Sequence, residues 1–245
     1  MAVDVQFEPI QQLRAHEYVA EQIRRHIGLR LIQPGEALPS ERELASLFGV
    51  GRPTIQHALR LLEAGRLVEA RRGRRGGTFV CQPNENGDAM DELIGRVRRN
   101  REAIRELLEW RRETEPAVAG VAAGSRRQID LDAMRAALKG MAEAGSEPEY
   151  MRNDTEFHLA VASATRNRFM KRAIEDMRLR LGDAMTLLPE SDLWHRRISG
   201  EHDAILGGIQ ARDRAAAETA MRVHVANSEQ GLRAVLEAVR RRRTP

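Results

Sequence analysis

The stretch from Leu38 to Val80, LPSERELASLFGVGRPTIQHALRLLEAGRLVEARRGRRGGTFV, constrains the fold more than any other part of the chain. Ser40 stands three residues before Glu43, a capping box in which each side chain satisfies an orphan backbone N–H of a helix's first turn. Leu44, Leu47 and Phe48 follow at helical spacing. Gly49, Val50 and Gly51 stop that helix and restart the chain, with Gly51 at the cap of a second one. Ile55, Ala58, Leu59 and Leu62 then form one apolar stripe, which leaves Arg52, Thr54, Gln56 and His57 on the outer face. Beyond Gly65, Leu67 to Arg71 and Thr78 to Val80 are spaced to pair as a hairpin. Its tip carries Arg71, Arg72, Arg74 and Arg75 on the permissive backbone of Gly73, Gly76 and Gly77. The pattern predicts a winged helix-turn-helix.

From Arg52 to Arg75 seven arginines face only Glu63 and Glu69, a local balance of +5 in a chain whose formal net charge is +4. Four arginines on one glycine hairpin repel one another unless an anionic partner is present, and phosphate neutralisation uses such a patch. The wing therefore favours a DNA-binding unit over a merely solvated helical hairpin. In that reading the first turns of the second helix meet base edges in a major groove.

The stretch resembles the DNA-binding domain of the GntR superfamily of bacterial transcription regulators, whose usual pattern runs LPSERELA, GVSR, a (V/I)REAL helix and a glycine-rich wing. The resemblance covers about seventy residues. It implies DNA contacts from Arg42 and Arg52, and a wing contact near Arg72, with Arg74 beside it. Gln56 and His57 stand where the family usually has Arg and Glu, and Gly51 replaces Ser or Thr. Gln can read adenine through a bidentate pair, so the operator is expected to differ from the family's common one.

The chain's 245 residues accommodate two modest domains. One cysteine, Cys81, excludes an intramolecular disulfide and fits a reducing cytoplasm. The N-terminus lacks the basic and apolar regions of a signal peptide, and no apolar run approaches a membrane span. A cytoplasmic protein with no membrane partner is expected. QPNENGD, from Gln82 to Asp88, has turn formers and no periodicity, so residues 1–82 are assigned to the winged unit, 83–88 to a linker and 89–245 to a second domain. From Ala89 onward helix follows helix, with spans expected near 89–99, 101–123, 128–144, 147–163, 167–187, 192–211 and 213–241. The fold class is mainly α: a winged helix-turn-helix followed by an all-α antiparallel bundle.

Three bundle helices carry polar residues on apolar stripes. Met151, Asp154, His158 and Val161 share one, Ile198, His202, Ile205 and Ile209 a second, and Ala217, Met221, His224, Gly231 and Val235 a third. An ionised carboxylate in an apolar core is costly unless paired or bound to a cation. Asp154, His158, His202 and His224 could together hold a divalent metal, and this donor set suits zinc first, with nickel, manganese or iron as options, rather than calcium. Arg111 lies on the stripe of Ile104, Leu107, Leu108, Glu115 and Val118. It needs an anion, which is either Glu115 one turn on or a ligand carboxylate held by two hydrogen bonds.

Residues 89–241 resemble the FCD ligand-binding domain that follows the winged helix in the FadR subfamily of GntR regulators. Carrying the resemblance are Arg111 with Glu115-Pro116 and AVAGVAAG, Asn153-Asp154 with Phe157-His158, Glu201-His202 with Ala204-Ile205, and Met221 with His224. It implies Asp154, His158, His202 and His224 as metal ligands, and Arg111 as the partner of a small organic acid. The expected protein is a homodimeric repressor, not an enzyme, that binds double-stranded operator DNA under control of a small carboxylate. A metal-sensing regulator and, further off, a metalloenzyme using the same Asp and His cluster are the alternatives.

Overall fold

The computed structural model describes residues 14–73, 76–82, 88–188 and 192–241. They divide into two compact units, one of residues 1–27 with 32–82 and one of 28–31 with 83–245.

In the first unit α1 (Ala15–Gly28) braces α2 (Glu41–Phe48) and α3 (Arg52–Ala64). Ser40 caps α2 through the expected box with Glu43, and Gly49 closes it in the left-handed region at φ 64°. Ile55, Ala58, Leu59 and Leu62 are buried against Val19, Ala20, Ile23 and Leu44. Leu47, expected on the same stripe as Leu44, is instead 74% exposed. The inward arc of α2 runs through Leu44, Ala45 and Phe48, and at 3.6 residues per turn Leu47 falls almost opposite Ala45.

Strands β1 (Val68–Arg71) and β2 (Gly77–Val80) pair antiparallel with Val68 opposite Val80 and Arg71 opposite Gly77. A third short segment joins them. Leu38 N–H donates to the Thr78 carbonyl, Val80 N–H to that of Glu36, and Ala37 bridges Phe79. The sequence pattern missed this pairing because residues 35–38 are too short to alternate.

The second unit holds α4 (Asp88–Arg99), α5 (Arg101–Ser125), α6 (Gln128–Glu143), α7 (Glu147–Ala164), α8 (Arg168–Met185), α9 (Asp192–Gln210) and α10 (Arg214–Arg241). Each expected helix is present, and among the described residues of this unit there is no strand. The linker expected at 83–88 lies outside the described residues, except for Asp88, which already belongs to α4. Leu108, Ala119, Leu131, Met134, Phe157, Leu181, Ile205, Met221 and Leu232 contribute to one continuous core. Arg212 donates to the Gly124 and Arg126 carbonyls, satisfying the orphan acceptors at the end of α5 and tying the α9–α10 turn to it. No described helix is long and apolar enough to cross a membrane.

Candidate functional sites: a DNA-facing surface and a buried polar centre

In the first unit Arg42, Arg52, Gln56, His57 and Arg72 are exposed and Thr54 is half-buried. Arg74 lies outside the described residues. Gly51 caps α3 by backbone alone, with no side-chain hydrogen bond, and Pro53 suits the first turn because its missing N–H would be an orphan there. Glu41, not singled out in the sequence, organises this face: its Oε2 accepts from Gln56 Nε2 at 2.9 Å and from Arg52 Nη2 at 3.3 Å. One carboxylate on α2 thus orients two polar side chains on successive turns of α3. The His57 ring meets His16 edge-on at 5.4 Å, so it is turned toward α1. On the wing, Arg71 lies over the Phe79 ring, 4.4 Å from its centroid.

The second unit brings Asp154, His158, His202 and His224 to one point. All four are buried, and one ligand atom from each lies within 4.8 Å of the others. Helix α7 supplies Asp154 and His158 one turn apart, α9 supplies His202 and α10 supplies His224. Asp154 Oδ1 is 3.3 Å from His202 Nε2 and 3.8 Å from His158 Nε2, and the Nε2 atoms of His158 and His224 are 3.2 Å apart.

Carboxylates stand behind two of the rings. His158 Nδ1 is 2.7 Å from Glu115 Oε2, and His224 Nδ1 is 3.2 Å from Glu201 Oε2. Asn227, one turn beyond His224 on α10, donates to Glu201 and steadies that carboxylate. A carboxylate beside Nδ1 favours the proton on that outer nitrogen, which turns the Nε2 lone pairs of His158 and His224 toward each other. Two lone pairs at 3.2 Å repel unless a cation lies among them. Burial pushes the pKa of His158 and His202 down, so these rings stay neutral and able to ligate. Burial pushes Asp154 the other way, but the Arg178 guanidinium beside it leads the charges that outweigh this and hold the carboxyl well below its usual range. An ionised carboxylate and three converging imidazoles, two of them backed by carboxylates, are what a divalent transition metal takes up, so the residues present fit such an ion.

Two buried arginines flank the centre. Arg111 pairs through Nε with Glu115, the internal partner considered from the sequence, while its Nη1 has no hydrogen-bond partner among the described residues. Burial raises the Glu115 pKa, but Arg111 and His158 outweigh it and hold the group well below the ordinary range. Arg178 on α8 was not picked out in the sequence. Its Nη2 donates to Asp154 Oδ2 and to Thr155 Oγ1, the latter at 2.8 Å. The available signal was a charge on the stripe Ile174, Met177, Arg178, Leu181, the same kind of anomaly that exposed Arg111.

A winged helix-turn-helix in one unit and a helical bundle around a buried Asp and His cluster in the other define a DNA-binding transcription regulator with an effector-binding domain. Residues 15–80 match the family model of bacterial regulatory proteins of the gntR family, and residues 106–227 match the FCD domain. The chain is 31% identical over 212 residues to the HTH-type transcriptional regulator LutR of Bacillus subtilis, covering 84% of this chain and 95% of LutR. It is 32% identical over 237 residues to the Uxu operon transcriptional regulator of Escherichia coli, covering 89% and 87%. It is also 28% identical over 223 residues to the transcriptional repressor NanR of Citrobacter rodentium, covering 89% and 85%. Among solved structures, E. coli McbR/YncC shares the fold with a TM-score of 0.51 at 16% identity, over 91% of this chain and 99% of that one. The chain belongs to the GntR family of transcription regulators, in the FadR-like group that carries an FCD domain. These relatives are regulators of transcription and not enzymes.

Proposed function

We propose that the protein is a homodimeric repressor acting in the cytoplasm, with residues 1–82 as DNA-binding domain, 83–88 as linker and 89–245 as sensor. A small carboxylate bound at a divalent metal in the sensor controls its grip on operator DNA. The observation that carries the reading is the meeting of three imidazole Nε2 atoms and Asp154 Oδ1, with two of the rings held from behind by Glu115 and Glu201. Asp154, His158, His202 and His224 would hold the ion, with zinc the best match to this nitrogen-rich set and nickel, manganese and iron also compatible. When bound, the ion supplies a fixed positive charge and a Lewis-acid position for an acid's oxygen.

Arg111 is the effector's second anchor. Its Nε is committed to Glu115, but the buried Nη1 still needs an acceptor, and a planar acid group meets that need. This unmet donor favours an acid effector over a pure metal sensor. Arg42, Arg52, Thr54, Gln56, Arg72 and Arg74 form the proposed DNA-contacting set, with His57 at its edge. Two such units on a palindromic site place two α3 helices in successive major grooves. Repression agrees with the relative NanR, which is a transcriptional repressor. The acid must bind the DNA-competent and DNA-incompetent states with different affinity, since otherwise it shifts nothing.

The test is a thermal-shift screen of small carboxylates against wild type, Arg111→Ala and His202→Ala, with and without added zinc. It is joined to binding of a duplex selected from random sequence by the protein itself. Metal-dependent stabilisation by an acid that also changes duplex affinity, lost in both variants, supports the proposal. Equal stabilisation of the variants refutes the pocket assignment. A duplex response to zinc and chelator that no acid alters makes the ion itself the signal.

A further inference from the structure

Arg178 pairs with Asp154 on the side of that carboxylate away from the imidazoles. Oδ1 faces His202 and His158, whereas Oδ2 accepts from the Arg178 guanidinium. Thr155, the next residue on α7, accepts from the same nitrogen at 2.8 Å, so the guanidinium is itself fixed in place. The Arg178 and Asp154 side chains are 2% and 6% exposed, so water does not compete for either group.

A free carboxylate can give both oxygens to one cation, as the bidentate carboxylates of calcium sites do. A carboxylate with one oxygen already bound to a guanidinium cannot do so without breaking that pair. We propose that Arg178 is a positioning residue: by occupying Oδ2 it limits Asp154 to a single donor atom and so leaves a place at the metal for the oxygen of an acid ligand. This deepens the reading above and rests on it.

Charge points the same way. Among the described residues Arg178 cancels Asp154 and Arg111 cancels Glu115, so of the carboxylates touching the cluster at most one, Glu201, can be set against a divalent ion. The loaded centre then keeps a net positive charge in a buried setting, which is costly until an anion arrives. Without Arg178, Asp154 would offset that charge itself and both oxygens would turn inward. The same four residues would then supply five donor atoms instead of four, one place fewer for an incoming oxygen at an ion that takes five or six.

The experiment uses full-length protein loaded with cobalt(II), whose visible absorption reports the ligand set, and acetate as the simplest carboxylate probe. The proteins are wild type, Arg178→Met, Arg178→Lys and Thr155→Val. Acetate should change the cobalt spectrum of the wild type and of Arg178→Lys, which keeps a cation on Oδ2. In Arg178→Met cobalt should stay bound while the acetate midpoint rises about tenfold or more, the scale of lost outer contacts at metal sites. Thr155→Val, which loosens the guanidinium without uncovering a charge, should shift the midpoint the same way by less, and it decides the matter if Arg178→Met does not fold. A wild-type acetate midpoint in both Arg178→Met and Thr155→Val overturns the proposal, as does failure of folded Arg178→Met to bind cobalt. Cobalt binding by the wild type with no acetate response overturns the open position alone. Absence of cobalt binding by the wild type removes the metal reading beneath it.

Discussion

Glutamine at position 115 has nearly the shape of glutamate but none of its charge, and in this fold that difference is large. The Arg111 and Glu115 side chains are 1% and 2% exposed. Solvent screening, which limits exposed ion pairs to about 0–1 kcal/mol, is therefore absent. Removing one partner of a buried pair strands the other charge and costs about 3–5 kcal/mol. In a unit of this size each kcal/mol moves the thermal midpoint by about 2–4 °C. Glu115→Gln in metal-free protein should thus melt about 6–20 °C below wild type. The double variant Arg111→Met, Glu115→Gln removes both charges and should recover much of that loss, a coupling that a double-mutant cycle reads directly. His158 also loses the carboxylate that fixes its tautomer, so metal affinity, measured by competition with a chromophoric chelator, should fall about 10- to 100-fold. A Glu115→Gln protein within about 1 kcal/mol of wild type, or a double variant less stable than the single one, would refute the reasoning.

Arg52→Ala should weaken operator binding across sequences and lower the slope of log affinity against log salt by about one, if the contact is to phosphate; an unchanged slope and affinity in a gel-shift series would remove α3 as the reading helix. Gly208→Ala should lower the melting midpoint, because the added carbon would stand 2.6 Å from the Ala217 backbone nitrogen, and that overpacking, about 1–3 kcal/mol, exceeds the up to about 1 kcal/mol that alanine gains in a helix. Glu229 is pushed up by burial, but Arg112 and Arg233 more than offset this, so its folded pKa lies below the unfolded value near 4.5. Its stabilisation is present above that value and fades as pH falls through the folded pKa, so Glu229→Gln should flatten the acid limb of a stability profile below about pH 4.5 and leave a shallower curve.

The sequence by itself determined most of the architecture. Caps, glycine stops and apolar periodicity are local properties, each readable within a turn or two, so α2, α3 and the seven bundle helices stand close to their expected places. The same logic found Asp154, His158, His202, His224 and Arg111, because a polar residue on an apolar stripe is conspicuous without coordinates. The limit of that logic is visible at Leu47, where periodicity alone does not say which side of a narrow stripe faces the core. It is visible again at Ala37, whose bridge to Phe79 joins residues far apart in the chain. Only the tertiary structure decided which charges meet. Arg178 and Asp154 lie on different helices, and so do Glu115 and His158, Glu201 and His224. Nothing along the chain sets which oxygen or ring nitrogen each partner takes. Helix packing sets it, because interaxial distance and rotation place side-chain atoms to fractions of an ångström, and pairing, tautomer and the direction of each carboxylate depend on distances of that size.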